Sequence, residues 1–309
     1  MMGVNSLLGL RMATILVTGG SGFIGRHFCC YALKQGWRVI VLTRHSKAAA
    51  KRLPSRVELI ERLSDLDGNF PIEVVVNLAG QPLAEGRWTE ARKRRFIESR
   101  VNSTQQLFDF FSARELKPKV VISGSAIGYY GPGELPVDET AAGSDGFSHD
   151  LCRQWEASAA QFEALNCRVC YVRTGIVLGD EGALAKMLPA FKLALGGPMG
   201  TGKQWMSWIH IEDMVSLLVH CINCEGLVGA VNATAPNPVT NQQFSKTLGA
   251  VLRRPAILPM PAPVVKLLFG EMGEVLLLEG QSVLPKKLKD SGFEFKYSNL
   301  HSSLSQILG

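Results

Sequence analysis

The sequence predicts an α/β fold, a doubly wound parallel sheet covered by helices and followed by a smaller, helix-rich lobe. Three observations carry that prediction. The first half of the chain alternates short β-branched runs with amphipathic stretches. These runs are nearly continuous rather than alternately apolar and polar, as strands buried on both faces must be. A glycine-rich turn joins the first run directly to the first amphipathic stretch.

Taken in order, residues 15–18, 38–43, 57–61, 74–78, 119–123 and 168–173 read as six strands. Residues 23–35, 89–111 and 150–165 read as the intervening helices, the first closed by Gly36 at its C-terminal cap. After Gly179 the texture changes. Gly196, Gly197 and Pro198, and then four prolines within 255–263, break any long element. Short helices fit 183–195, 212–224, 241–252 and 264–279. Residues 1–12 read as an N-terminal extension and 13–178 as a dinucleotide-binding half to which 205–235 return. Residues 179–204 and 236–309 form the lobe.

With 309 residues, 46% apolar and 19% charged, the chain is neither disordered, collagen-like nor a disulfide-stapled mini-protein. A net charge of +6 suits an anionic ligand, but the excess is small and dispersed, so nucleic acid is not an expected partner. Seven cysteines, an odd number, fit a reducing compartment rather than a secreted framework. No window approaches the ~18 apolar residues of a membrane span. The reading is a cytoplasmic protein with a small-molecule substrate, as monomer or homodimer.

The first strand runs into Gly19-Gly20-Ser21-Gly22-Phe23-Ile24-Gly25 and then a helix, the setting of a dinucleotide fingerprint. Gly19 and Gly22 let the backbone turn towards a pyrophosphate, Gly25 lets the helix pack on the strand, and the helix start offers free N–H groups. The plain alternative is a tight turn without a ligand. An acidic residue closing the second strand would favour NAD; Thr43, Arg44 and His45 stand there instead. Arg44 favours the 2′-phosphate of NADP, the other reading being a solvated loop arginine.

Further along stand Asn77-Leu78-Ala79-Gly80, Ser123-Gly124-Ser125-Ala126 and Arg173-Thr174-Gly175-Ile176-Val177-Leu178-Gly179. With the glycine turn, these resemble the extended short-chain dehydrogenase/reductase superfamily, the NAD-dependent epimerase/dehydratase group. The segments 85–89, 205–211, 232–236 and 278–281 look like its bacterial nucleoside-diphosphate-sugar epimerase branch, which carries a C-terminal domain of unknown function. The resemblance implies a Rossmann-like fold with a cofactor cleft at the carboxyl ends of the strands. It implies that Gly19, Ser21, Gly22, Phe23 and Ile24 line the pyrophosphate, with Gly25 behind them and Arg44 at the adenosine phosphate. Leu78, Ala79 and Gly80 would follow the nicotinamide-side ribose. Asn102 falls where many relatives place a residue near that ribose, though helix packing explains it as well.

Active relatives pair a serine with Tyr-x-x-x-Lys, whose lysine lowers the tyrosine pKa from about 10. Ser125 matches the serine. Glu156 sets the register of the following helix and puts Ser148 at the tyrosine and Cys152 at the lysine. Neither replacement has equivalent chemistry. Tyr129, Tyr130 and His149 are the remaining proton-transfer candidates; the plainer reading makes the tyrosines pocket wall and His149 a helix-start or surface residue.

Arg87 and Trp88 either clamp a substrate or form a surface turn. Trp205 and Trp208 either wall the pocket or pack in the core. His210 and Asp213 read as capping residues, 92–95 as a solvated helix face. Cys167 with Cys170, and Cys221 with Cys224, have zinc-like spacing, but in a strand and an apolar helix they read as buried thiols, so no metal is expected. Two functions follow: an NADP-dependent oxidoreductase or epimerase-like enzyme on a small polar substrate, nucleotide-linked or not, or a non-catalytic NADP(H) sensor.

Overall fold

Strand side chains alternate between two faces, and here both faces meet apolar layers. In the computed structural model, which describes residues 13–67 and 70–309, β1 (Thr14–Thr18) sends Ile15 and Val17 into one core and Leu16 into another. β2 (Arg38–Leu42) divides Val39 and Val41 from Ile40 in the same way, and β4 (Val74–Asn77) divides Val74 and Val76 from Val75. This two-sided burial explains why the runs look continuous in sequence. The N-terminal extension expected over residues 1–12 lies outside the described residues.

With β3 (Glu58–Ile60), β5 (Val120–Ala126), β6 (Arg168–Thr174) and β10 (Gly229–Ala233), these strands form a seven-stranded sheet. Its order is β3-β2-β1-β4-β5-β6-β10, and every pairing is parallel. The chain reverses its direction of winding between β1 and β4, which opens a crevice at their carboxyl ends. β10 escapes the sequence reading because Gly-Ala-Val-Asn-Ala has little β-branched content. Pairing with β6, not local preference, makes it a strand.

Helix α1 (Phe23–Lys34) packs on one face beside α6 (Ile211–Asn223), and Gly36 follows it at φ +80°. A single turn, α2 (Ser46–Ala49), follows β2. Helices α3 (Glu90–Ser112) and α4 (Phe147–Ala160) pack on each other over the opposite face. Thr89 caps α3 by accepting from the Arg92 amide. α4 begins three residues before the expected residue 150, and residues 161–165 tighten into a 3₁₀ turn rather than continuing the helix.

The lobe has its own core of Phe191, Met206, Trp208, Phe244, Leu248 and Leu304. These come from α5 (Gly182–Lys192), α7 (Asn241–Leu252), α11 (Leu300–Leu308) and two strand pairs, β7 (Ile176–Leu178) with β9 (Trp208–His210) and β8 (Trp205–Met206) with β11 (Val239–Thr240). The helix expected over 264–279 is broken by Gly270 at φ +61°. It becomes α8 (Ala262–Phe269), α9 (Glu271–Gly273) and a π turn, Glu274–Leu278. The chain then returns to the sheet: Leu288 of α10 (Lys286–Asp290), with Phe293 and Phe295, joins the core beneath α6. Among the described residues, no helix is long and apolar enough to cross a membrane.

Candidate active site

The glycine turn builds one end of the crevice. Gly19 sits at φ +67°, and a Cβ on it would lie 2.6 Å from the Leu78 carbonyl oxygen. A Cβ on Gly25 would lie 2.3 Å from the Gly19 oxygen, so α1 can approach β1 only with glycine at both places. Gly22, at the helix start, brings no side chain to the first-turn amides, and that turn holds no acidic residue. The cradle fits a pyrophosphate: the amides of Phe23, Ile24 and Gly25 and the positive helix end are presented with no side chain on Gly22 and no acidic residue in the turn. The Phe23 ring packs against Gly179 and Ile211, and Ile24 against the sheet core, so their amides, not their side chains, face this end. Arg44 is exposed after β2 and has no ion-pair partner among the described residues.

The loop Leu78–Gly80 is held beside Gly19 by a buried polar chain. Thr18 Oγ1 donates to Asn77 Oδ1 at 2.6 Å, Asn77 Nδ2 donates to Thr104 Oγ1 at 2.8 Å, and the Ala79 amide donates to Thr18 Oγ1 at 3.2 Å. Asn102 is not part of this arrangement. It is exposed on α3, and the residue that meets Gly80 is Arg100, two positions earlier and so on another side of the helix.

A cavity of about 480 Å³ opens at the carboxyl ends of β5 and β6. Ala126 and Thr174 lie on its sheet side, Ser148 and His149 of α4 on another, and Glu271, Glu279 and Gln281 come from the lobe. Trp205 also lines it and donates Nε1–H to the Glu134 carbonyl at 3.2 Å. The buried Ser148 hydroxyl has no hydrogen-bond partner among the described residues. His149 Nδ1 lies 2.7 Å from the Tyr129 carbonyl oxygen, which only accepts, so Nδ1 carries the proton and Nε2 the lone pair. Gly143 makes room for the ring, since a Cβ there would lie 2.2 Å from Nδ1. Burial and the charge of Glu274 raise the Glu279 carboxyl above its usual range. Cys152 is a neutral buried thiol, pushed up to about 11 by burial, with Sγ 3.5 Å from the Ala126 carbonyl.

The other proton-transfer candidates are drawn into a separate network. Glu156 takes two hydrogen bonds of 2.8 Å from Arg173 Nε and Nη2, with both side chains nearly buried. Ser125 Oγ donates to Glu156 Oε1 at 2.6 Å, so its proton is spent on a carboxylate, not aimed at a substrate oxygen. Tyr130 donates to Asn232 Oδ1 at 2.7 Å and accepts from Arg173 Nη1 at 3.0 Å; burial raises its pKa further, which removes it as a proton donor. The Tyr129 ring lies beneath the Arg173 guanidinium at 3.4 Å and against the His149 ring, a packing role. Of the expected catalytic set, only His149 lines the cavity.

Three of the expected substrate contacts are also structural. Trp88 is buried among Phe96, Phe147 and Met272, with Nε1–H donated to the Leu83 carbonyl at 2.9 Å. Arg87 reaches the carbonyls of Leu267 and Leu268 at the end of α8 instead of the cavity. Trp208 is fully buried in the lobe core, bonded to the Asn237 carbonyl. His210 caps α6 by accepting from the Glu212 amide, and Asp213 accepts from the amides of Lys296 and Tyr297. Cys167 and Cys170 sit in the cores of opposite sheet faces, and no metal-holding cluster occurs among the described residues.

Sequence reasoning missed Arg100, the Glu156–Arg173 pair as a structural unit, the unpartnered Ser148 hydroxyl and the lobe carboxylates. A usable signal existed for the pair: opposite charges on two elements expected to be buried must meet.

Residues 15–231 match the NAD dependent epimerase/dehydratase family, and residues 260–307 match a domain of unknown function. The chain is 37% identical to the epimerase family protein YfhF of Bacillus subtilis over 95% of its own length and 97% of that protein's. The crystal structure of the human epimerase family protein SDR39U1 with NADPH superimposes with a TM-score of 0.85 at 32% identity, covering 95% of this chain and 98% of that one. UDP-glucuronic acid 4-epimerase from Bacillus cereus, solved with NAD, shares the fold at a TM-score of 0.76 and 17% identity, over 95% and 97% of the two chains. With this crevice, these glycines and matches that span nearly the whole chain, the protein belongs to the NAD dependent epimerase/dehydratase family.

Proposed function

We propose that the protein is an NADP-dependent oxidoreductase or epimerase-like enzyme whose small polar substrate enters the cavity beside α4. The observation that carries this reading is the juxtaposition of a tautomer-fixed His149 and an unpartnered Ser148 hydroxyl in a cavity next to the dinucleotide crevice. Bound nicotinamide would supply or accept a hydride. His149 Nε2 would take or return the proton, and Ser148 would hold the reacting oxygen by a hydrogen bond. The walls exclude water from one side through Phe147, Ile176, Val275 and Leu276. The lining includes Asp145, Glu271 and Glu279 but no lysine or arginine, so a substrate without a nucleotide suits it better than a nucleoside diphosphate. A reducing, cytoplasmic setting belongs to the same reading, supported by the odd number of cysteines.

Arg44 supports NADP over NAD, and the NADPH in the human relative points the same way. Titrating the protein separately with NADPH, NADP⁺, NADH and NAD⁺ tests this. Both NADP forms should bind at least about tenfold tighter than the NAD forms, and Arg44→Ala should erase the difference, since a charge-assisted contact is worth that much. Absence of dinucleotide binding, or a preference for NAD, would sink the proposal. The sensor reading is favoured by one observation, the sequestration of Ser125 and Tyr130. It requires a large preference for one redox state of NADP, because equal binding shifts no equilibrium.

A further inference from the structure

Two arginines are buried near the carboxyl ends of the central strands, and their situations differ. Arg173 is matched by Glu156 through paired hydrogen bonds. Arg100 on α3 is 8% exposed and has no carboxylate partner among the described residues. Its Nη1 donates to the Phe96 carbonyl at 3.1 Å and its Nη2 to the Gln81 carbonyl at 3.0 Å, both neutral acceptors. Nη1 also lies 3.5 Å from Ser99 Oγ, another neutral acceptor, and Nε–H has no hydrogen-bond partner among the described residues. Burying a guanidinium on such terms is costly, and burial lowers its pKa to about 10.

The location of this charge bears on its use. The guanidinium lies directly against Gly80, where a Cβ would stand 2.8 Å from Cζ, so the loop can pass this close to the charge only with glycine there. Its other neighbours belong to α4: the Trp155 ring lies 5.1 Å away, and the charge acts on Cys152. A dinucleotide seated with its phosphates at the Gly19–Gly25 turn must run in two directions from the crevice. One half crosses β2 towards Arg44, and the other crosses β4 and β5, passing the Leu78–Gly80 loop and Arg100.

We propose that Arg100 holds the sugar hydroxyls in the redox half of the bound dinucleotide and gives the site its fixed positive charge, which α4 lacks at Cys152. The proposal rests on the cofactor reading above. It assigns a binding role to α3, whereas Ser148 and His149 act from α4.

The experiment compares wild type, Arg100→Met, Arg100→Gln and Arg100→Lys by titration with NADPH and with adenosine 2′,5′-bisphosphate, which contains only the adenosine half. Bound NADPH is followed by nicotinamide fluorescence. Arg100→Met should lose about ten- to a hundred-fold in NADPH affinity, as expected for a lost charge-assisted contact, and retain wild-type affinity for the bisphosphate. Arg100→Lys should recover most of the loss. If the Met variant does not fold, the contrast between Gln and Lys carries the same test. Equal loss for both ligands, or none for either, overturns the proposal and assigns Arg100 to packing. Failure of the wild type to bind NADPH is a different result, which removes the cofactor reading itself.

Discussion

Desolvating a guanidinium and a carboxylate costs several kcal/mol each, recovered only when the pair is well matched. Arg173 and Glu156 meet that condition: burial opposes the charge on Arg173, but two hydrogen bonds and the neighbouring carboxylate outweigh it and hold the guanidinium firmly protonated. The pair also fixes Ser125 and Tyr130, and through Tyr130 the side chain of Asn232 on β10. Glu156→Ala would leave a buried cation unpaired and should destabilise the protein by about 3–5 kcal/mol. The double variant Glu156→Ala/Arg173→Met should recover a good part of that loss. Denaturant unfolding of the two single variants and the double variant measures the coupling. Simple addition of the two single losses would show that the pair does not act as a unit.

At the scale of elements, the approach of α1 to β1 decides whether the phosphate end of the crevice exists. A methyl group on Gly25 would lie 2.3 Å from the Gly19 oxygen and 2.7 Å from the Gly20 Cα, both backbone, so no side-chain rotation relieves it. Gly25→Ala should therefore push α1 outward, cost on the order of 1–3 kcal/mol and reduce NADPH affinity more than about tenfold. Thermal unfolding and the nicotinamide titration read the two effects; unchanged affinity would place the phosphates elsewhere. This end of the site was legible in sequence because its geometry is local: seven consecutive residues between a strand and a helix dictate it. The six predicted strands were legible for a related reason, since Leu16, Ile40 and Val75 serve one core and their neighbours the other. The chemistry was less legible. Ser125 looked like a substrate-facing hydroxyl, but its partner Glu156 lies 31 residues away, and the Asn232 that occupies Tyr130 lies 102 residues away. Arg100 shows the same limit, because its value depends on the absence of a carboxylate that only the folded chain can reveal. The break at Gly270 and the strand β10 were missed because each is imposed by neighbours, against weak local preference.

The whole molecule is closed by the C-terminal segment, a clasp that crosses from the lobe to the sheet and back, and two histidines of α6 and its cap, on which this segment packs, couple the molecule's stability to pH. His210 accepts from the Glu212 amide through Nδ1, and its Nε2 lies 2.8 Å from Gln306 Oε1, so the ring is neutral with the proton on Nε2. Its surroundings include Tyr297 stacked at 3.8 Å and the charges of Glu212, Asp213 and Lys296. His220, at the end of α6, bonds Ser291 and packs on Phe293. Burial lowers both pKa values below the ordinary 6.5. The unfolded chain then binds more protons than the folded one between the folded pKa and 6.5, so stability is complete above that value and lost as pH falls through the interval. The carboxylates of Glu61, Asp138 and Asp180, whose pKa values are lowered, lose their contributions only at more acidic pH. Glu279 and Asp213, whose pKa values are raised, act with the opposite sign. Tm should fall by a few degrees between pH 7 and pH 5. His210→Asn keeps a capping side chain at the start of α6 without a titrating ring, and should flatten this slope while lowering Tm only modestly at pH 7. A slope unchanged in both His210→Asn and His220→Asn would move the acid sensitivity away from the clasp.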